Sequence, residues 1–416
     1  MAPLRFFCEA MTTLPVNIPR RTLIFWTATA LIGVDTVLFS MVVPALPEFA
    51  DRYDFSASIA ALIFALFPVG QLLAALLAAG WVERIGRRPV MMIAAVMLVA
   101  ATLGFSLANG LELLALARFM QGVAAGLVWT AGLAAIADVY PVDQLGFRLG
   151  LAETAGGAMG LLGPIIGGVL IVWVGLDETF ALAAILPALA LIPVFLIPET
   201  RGGPGVRQPL LPALKSLVAV PKARVAFWAL AGVAAVLALV EPLLPLDLAD
   251  RLGLSSLGIG LVFGAGLLSY FALVPVGGWW SDKRGLRAPL IVGGVLMAVG
   301  LPFCAFGPAI SVGIAFAVVG AGMAAMGAPT GPLMVEAVNE AGMEGQYGLS
   351  SAMLTVVFAV GYVVGPLLGA AASAVLPFLA TMIIAAFAIA VVAAWVARTL
   401  PKEQPSGEAL AVGPRG

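Results

Sequence analysis

Apolar residues run along this chain in long blocks, each closed by a short group of charged or turn-forming residues. A helix needs about 20 mostly apolar residues to cross a bilayer. Twelve blocks approach that length: 22–46, 57–81, 89–108, 111–137, 147–174, 178–197, 224–246, 256–280, 288–308, 310–335, 347–373 and 377–398. Many contain Gly and Pro, which membrane helices tolerate because neighbouring helices and polar side chains re-satisfy the freed backbone groups. The longest polar interruption, ETRGGPGVRQPLLPALKSLVAVPKA at 199–223, divides the blocks six and six. Its Gly, Pro and charges mark a linker, within which LLPALKSLV reads as a short surface helix. The pattern predicts an all-α membrane protein of twelve transmembrane helices. Its expected parts are an N-terminal segment (1–21), a first half (22–198), the linker (199–223), a second half (224–399) and a disordered tail (400–416).

Composition agrees. The chain is 62% apolar and 10% charged, where a soluble domain is nearer half apolar and a quarter charged. All but three of the 21 Lys and Arg fall on one side of the predicted spans; the exceptions are Arg52, Arg118 and Arg251. The positive-inside rule makes the basic side cytoplasmic, so both termini are expected inside, in a plasma (inner) membrane. Residues 1–21 lack an apolar core with a cleavage site, so span 1 is expected to serve as an uncleaved anchor. Trp81, Trp279 and Trp280 end spans beside basic loops and read as interfacial anchors. The two cysteines, Cys8 and Cys304, stand too far apart in sequence to suggest a disulfide. No nucleophile–base set, metal-ligand cluster or phosphate-binding loop is visible, which argues against an enzyme, a cofactor, a metal or a nucleic-acid partner. There is no histidine. A proton carrier would therefore have to be a carboxylate or a water chain linked to arginine.

The two halves repeat. ADR at 50–52 returns at 249–251, and Ser56 returns as Ser255. WVERIGRRP at 81–89 returns as WSDKRGLRAP at 280–289, and GPIIGG at 163–168 as GPLLGA at 365–370. Landmarks in one order at offsets near 200 residues imply two pseudo-symmetric six-helix halves that rock about a central axis.

Buried charge is the main chemical signal. Asp35 is the only charge in LIGVDTVLFSMVVPALP, ahead of Pro44 and Pro47. A carboxylate inside a span costs about 2.5–3.5 kcal/mol on the insertion scale. Burial disfavours its charged form, so Asp35 could trade a proton for a cation; the other reading is an acid satisfied by Thr or Ser. Glu241, ahead of Pro242 and Pro245, has Val43 as its repeat partner. It is expected in the outer half of the pathway, about 12 Å from the level of Asp35 at 1.5 Å per residue. Arg118 in span 4 keeps its charge under ordinary conditions, so it needs a partner, and it could brace spans 1 and 4. Glu153 in span 5 is either a further titrating acid or a partner for Arg118.

These residues resemble the major facilitator superfamily. Arg84–x–Gly86–Arg87–Arg88, with Glu83, and Asp282–Lys283–Arg284–Gly285 are similar to its loop motif. LARFMQG, with Arg118 and Gln121, resembles its span 4 motif. Gly150 with GPIIGG (Gly163, Pro164, Gly167, Gly168) resembles the span 5 signature of twelve-span drug:proton antiporters, although Met159 stands where that signature has a glycine. Within the superfamily the likeness is nearest to vesicular amine transporters: DTVLFSMVVPALP, VEPLLP at Glu241, Phe263 with Ser269–Tyr270, and Phe358 with Gly361–Tyr362 before Gly365–Pro366. The span 2 lysine of those transporters is Phe67 here, and their acids in spans 10 and 11 fall at Gly327 and Thr355.

The resemblance implies a proton-coupled antiporter that exports lipophilic organic cations or amines by alternating access. Asp35, Glu241, Glu153 and Arg118 would serve the proton. Asp35, Glu241, Phe263, Tyr270, Phe358, Tyr362, Trp129 and Gln71 would hold the substrate, since aromatic faces attract organic cations. The loop motifs and the glycines of spans 5 and 11 would form the conformational switch. Export of neutral or zwitterionic drugs or sugars is the alternative, and a transporter-like receptor or scaffold is the reading from another class. A monomer in the lipid bilayer is expected, with protons and a small molecule as its only partners.

Overall fold

The computed structural model describes residues 20–200, 216–343 and 347–401, all of them helical or in short connections. Most of the N-terminal segment, residues 201–215 of the linker with most of LLPALKSLV, and the tail from 402 lie outside the described residues, as does Cys8. The first half contains α1 (Arg20–Tyr53), α2 (Ala57–Ile85), α3 (Arg87–Ser106) and α4 (Leu111–Val139). Its fifth span is α5 (Val142–Ala158), a 3-10 turn (Met159–Leu161) and α6 (Leu162–Val174). Its sixth is α7 (Leu176–Ala183) and α8 (Ile185–Leu196). The second half contains α9 (Pro221–Leu252), α10 (Ser256–Arg284), α11 (Arg287–Phe303), α12 (Ala309–Gly327) with α13 (Thr330–Glu340), α14 (Tyr347–Ser373) and α15 (Phe378–Thr399).

Eleven stretches among the described residues are long and apolar enough to cross a membrane; α11 is a shorter apolar helix. The observed helices overrun the apolar blocks. Thus α1 continues through ADR to Tyr53, and α2 continues to Ile85. Backbone hydrogen bonding carries a helix past the end of its apolar stretch, into the polar interface.

The repeat seen in the sequence is a repeat of local geometry. Ser56 and Ser255 each cap the helix that follows, accepting from Ile59 N and Gly258 N. Gly86 and Gly285 each turn the chain at positive φ, +102° and +80°, where a side chain would be strained. The helix neighbours repeat too. In the first half α1 packs on α6, α2 on α4, α3 on α4 and α3 on α8; in the second half α9 packs on α14, α10 on α12, α11 on α12 and α11 on α15. Two equivalent contacts join the halves, α6 with α10 and α14 with α2.

Those joints are tight at the end opposite the basic loops. A Cβ added to Gly168 of α6 would lie 2.5 Å from the Ser256 carbonyl and 2.9 Å from Leu257 Cα on α10. Gly260 of α10 likewise meets the Pro164 backbone. Beside this contact Ser256 Oγ donates to Glu48 of α1 at 2.6 Å. At the equivalent place Ser58 Oγ donates to the Ala370 carbonyl at 2.7 Å. Small residues let helix backbones approach closely in a membrane, and here two come from opposite halves. Gly168→Val cannot be absorbed by a flexible neighbour, because the obstruction is backbone. We expect it to populate forms parted at this end, read as longer spin-label distances between residues near 52 and 251. Unchanged distances in a folded variant would rule the seal out.

Span 5 compensates for its unusual methionine. Met159 lies against Gly33 of α1, where an added Cβ would come within 3.0 Å of Met159 Cγ. The side chain that span 5 gains is matched by one that span 1 lacks, and close packing survives.

Candidate functional site

Asp35 sits in the middle of α1, only 2% exposed. Two nearby hydroxyls are turned back on their own helix: Thr36 donates to the Ile32 carbonyl and Ser40 to that of Thr36. Such back-bonding is the usual recourse of Ser and Thr inside helices, and it leaves neither serving the acid. The partner of Asp35 is Trp129 of α4, whose Nε1–H donates to Oδ2 at 3.1 Å. Oδ1 is buried and makes no hydrogen bond among the described residues.

Glu241 of α9 is 5% exposed. It accepts from the Tyr362 hydroxyl of α14 at 2.5 Å, in the range of a charge-assisted O–H···O bond. The two acids are thus held alike: each half supplies one carboxylate on its first helix and one aromatic donor from a neighbouring helix.

Between them lies a cavity of about 400 Å³. Asp35, Glu241, Tyr270, Phe358, Tyr362, Trp129 and Gln71 line it, and Glu153 does so from α5. No Lys or Arg does. The aromatic wall is continuous across the halves. Phe39 of α1 lies 4.4 Å from Phe67 and 5.9 Å from Tyr362, which stacks on Phe358 at 5.4 Å. Thr154, Phe271 and Met323 also line it, and none of these three carried a signal in the sequence.

Phe263 is not part of the cavity. It is buried against Phe316, with ring centroids 5.1 Å apart. Helices α10 and α12 approach closely where Gly266 meets the Phe316 ring, and Phe263 fills the adjacent core.

Arg118 is wholly buried behind the wall. Its Nη1 donates to Gln121 Oε1 at 2.7 Å and to the Phe39 carbonyl at 3.2 Å. The guanidinium lies 4.3–4.9 Å from the ring centres of Phe39, Phe64 and Phe67, a desolvated cation–π cage. Its charge still reaches both Glu241 and Asp35. Glu153 is not its partner: it faces the cavity and makes no hydrogen bond or ion pair among the described residues. Arg118 therefore braces α1 and α4 and places a fixed positive charge behind the two acids.

The loop motif is built mainly within the first half. Arg87 pairs with Asp138 at the end of α4 at 2.7 Å and donates to the Val82 carbonyl. Glu199, after α8, accepts from the backbone N–H groups of Arg87 and Arg88 at the start of α3, an anion at a helix N-terminus. An added Cβ at Gly86 would lie 2.5 Å from the Glu199 carboxylate, so Gly86 serves both the turn and the cap. Glu83, Arg84, Asp282 and Lys283 are exposed at the helix ends, and the Asp282 carboxylate makes no bond to the other half among the described residues. Of the glycine signatures, Gly163 and Gly167 close on α1, and Gly168 on α10. Gly365, next to the buried Pro366, closes on Ala235 of α9. Only Gly168, with Pro164 against Gly260, seals one half to the other.

Residues 27–240 and 226–414 match the family model described as Major Facilitator Superfamily. The chain belongs to the Major Facilitator Superfamily. It is similar to the human "MFS-type transporter SLC18B1", 25% identical over 354 residues that cover 80% of this chain and 76% of that protein. It is 28% identical to the human "Synaptic vesicular amine transporter" over 298 residues, 68% of this chain and 55% of that one. Among solved structures, a bacterial homolog of the human lysosomal transporter Spinster superposes with a TM-score of 0.72, at 15% identity, over 92% of this chain and 98% of that chain. This superfamily member is thus a multi-span transporter of small organic solutes, and not an enzyme.

Proposed function

We propose that this transporter exports lipophilic organic cations in exchange for protons by alternating access. The observation that carries the reading is the cavity wall: two buried carboxylates and a band of aromatic rings, with no basic side chain among the described residues that line it. An organic cation gains from both the rings and the acids. The amine transporter likeness supports it, and Arg118, held out of the cavity, leaves the acids facing inward. The proton competes with the substrate for the same carboxylates. The basic loops face the cytoplasm of a plasma membrane in this reading; cysteines placed at Arg84 or Lys283 should resist membrane-impermeant reagents applied to intact cells.

The test is uptake into proteoliposomes with a panel of amines, permanently charged dyes and neutral drugs, with and without a pH gradient. Gradient-dependent movement of cations is expected. Movement of neutral drugs alone would favour the alternative export reading, and no movement of any compound would favour a scaffold.

A further inference from the structure

We infer that the cavity holds a second cation subsite at Glu153, so that the preferred substrates carry two positive charges; this rests on the cation reading above. Glu153 differs from the other two acids. Trp129 engages Asp35 and Tyr362 engages Glu241, whereas Glu153 lines the same cavity beside Thr154 with no partner among the described residues. The nearest positive charge along its own helix, Arg148, is occupied elsewhere: its guanidinium lies 4.8 Å from the Tyr140 ring centre and 5.8 Å from that of Phe25. A second observation points to a ligand. Asp35 Oδ1 is buried and unpaired in the same wall, so a cation reaching it would complete a hydrogen-bond set that the protein leaves open.

Helix packing fixes the spacing. Span 5 runs alongside α1 in the same direction, Gly156 against Ile32, Gly160 against Thr36 and Gly167 against Met41. Asp35 is therefore level with the region of Met159, about six residues beyond Glu153. At 1.5 Å per residue the two acids stand about 9 Å apart along the pathway. Glu153 lies on the side of the basic loops, Asp35 deeper, and Glu241 engages Tyr362 in the other half. A flexible chain with a cationic group at each end fits that ladder: one end meets Asp35 within the aromatic wall and the other meets Glu153.

The experiment uses a homologous series of α,ω-bis(trimethylammonium)alkanes against monoquaternary alkylammonium ions of equal carbon number, competing with a labelled monocation for the purified full chain in lipid. Permanent charges remove any protonation of the ligand from the comparison. The wild type should prefer the dication, most strongly where its charges stand at least about 9 Å apart, the offset along the pathway. Glu153→Gln should reduce the ratio of dication to monocation affinity about fivefold, the scale of a solvent-accessible ion pair, and Glu153→Asp should keep most of it. A wild type with no preference, or a ratio unmoved by Glu153→Gln, overturns the second subsite while leaving the cation reading intact. A wild type that binds neither series overturns the cation reading itself.

Discussion

Asp35→Asn should abolish proton-driven accumulation of substrate while leaving the protein folded. The asparagine carbonyl oxygen can still accept from Trp129, so the contact between α1 and α4 survives. The other carboxylate oxygen has no partner to lose among the described residues. What disappears is the charge and, in the proposed exchange, the atom at which a proton and a cation would compete. The chain has no histidine, and among the described residues the carboxylates lining the cavity are Asp35, Glu153 and Glu241. Asp35 alone among them is buried with an open oxygen. The measurement is uptake of a permanently charged dye into proteoliposomes under a pH gradient, beside dye-for-dye exchange with no gradient. Exchange should persist and accumulation should vanish. If the variant still concentrates dye, the carrier is Glu241 or Glu153.

The large features of this fold are written in composition and period. Apolar blocks of membrane length give the spans, and the returning landmarks give the halves; the structure meets both with repeated caps, turns and helix neighbours. The acids were also legible, because a carboxylate among apolar residues stands out. Facing was not. A helix that is apolar on every side carries no stripe to orient it, so nothing in the sequence of α10 distinguishes Phe263, which turns into the core, from Tyr270, which turns into the cavity. Pairing across long separations was equally hidden. Asp138 and Glu199 belong to no motif in the sequence, and only the folded chain brings them to Arg87 and to the start of α3. Arg118 is the reverse case. Its burial was readable, but its cage of three rings comes from two other helices, with Phe39 on α1 and Phe64 and Phe67 on α2.

Glu241→Gln separates a binding acid from a structural one. The substitution is close to isosteric, and the Gln carbonyl can still accept from the Tyr362 hydroxyl, so the joint between α9 and α14 should hold. Two things change for a bound cation. It loses a desolvated partner, a loss of about 2–5 kcal/mol for a buried charge contact. It also meets the buried Arg118 charge with one carboxylate fewer in the cavity wall. Both effects act on charge and neither on shape. A permanently charged dye should therefore bind at least about 30-fold more weakly, the lower end of that range at 1.4 kcal/mol per tenfold, while a neutral drug of similar size should change little. Arg118 lies outside the cavity and both ligands would meet the same aromatic wall, so the neutral drug reports any damage to packing. Equal weakening of the two would mean that Glu241 shapes the cavity and does not attract its occupant.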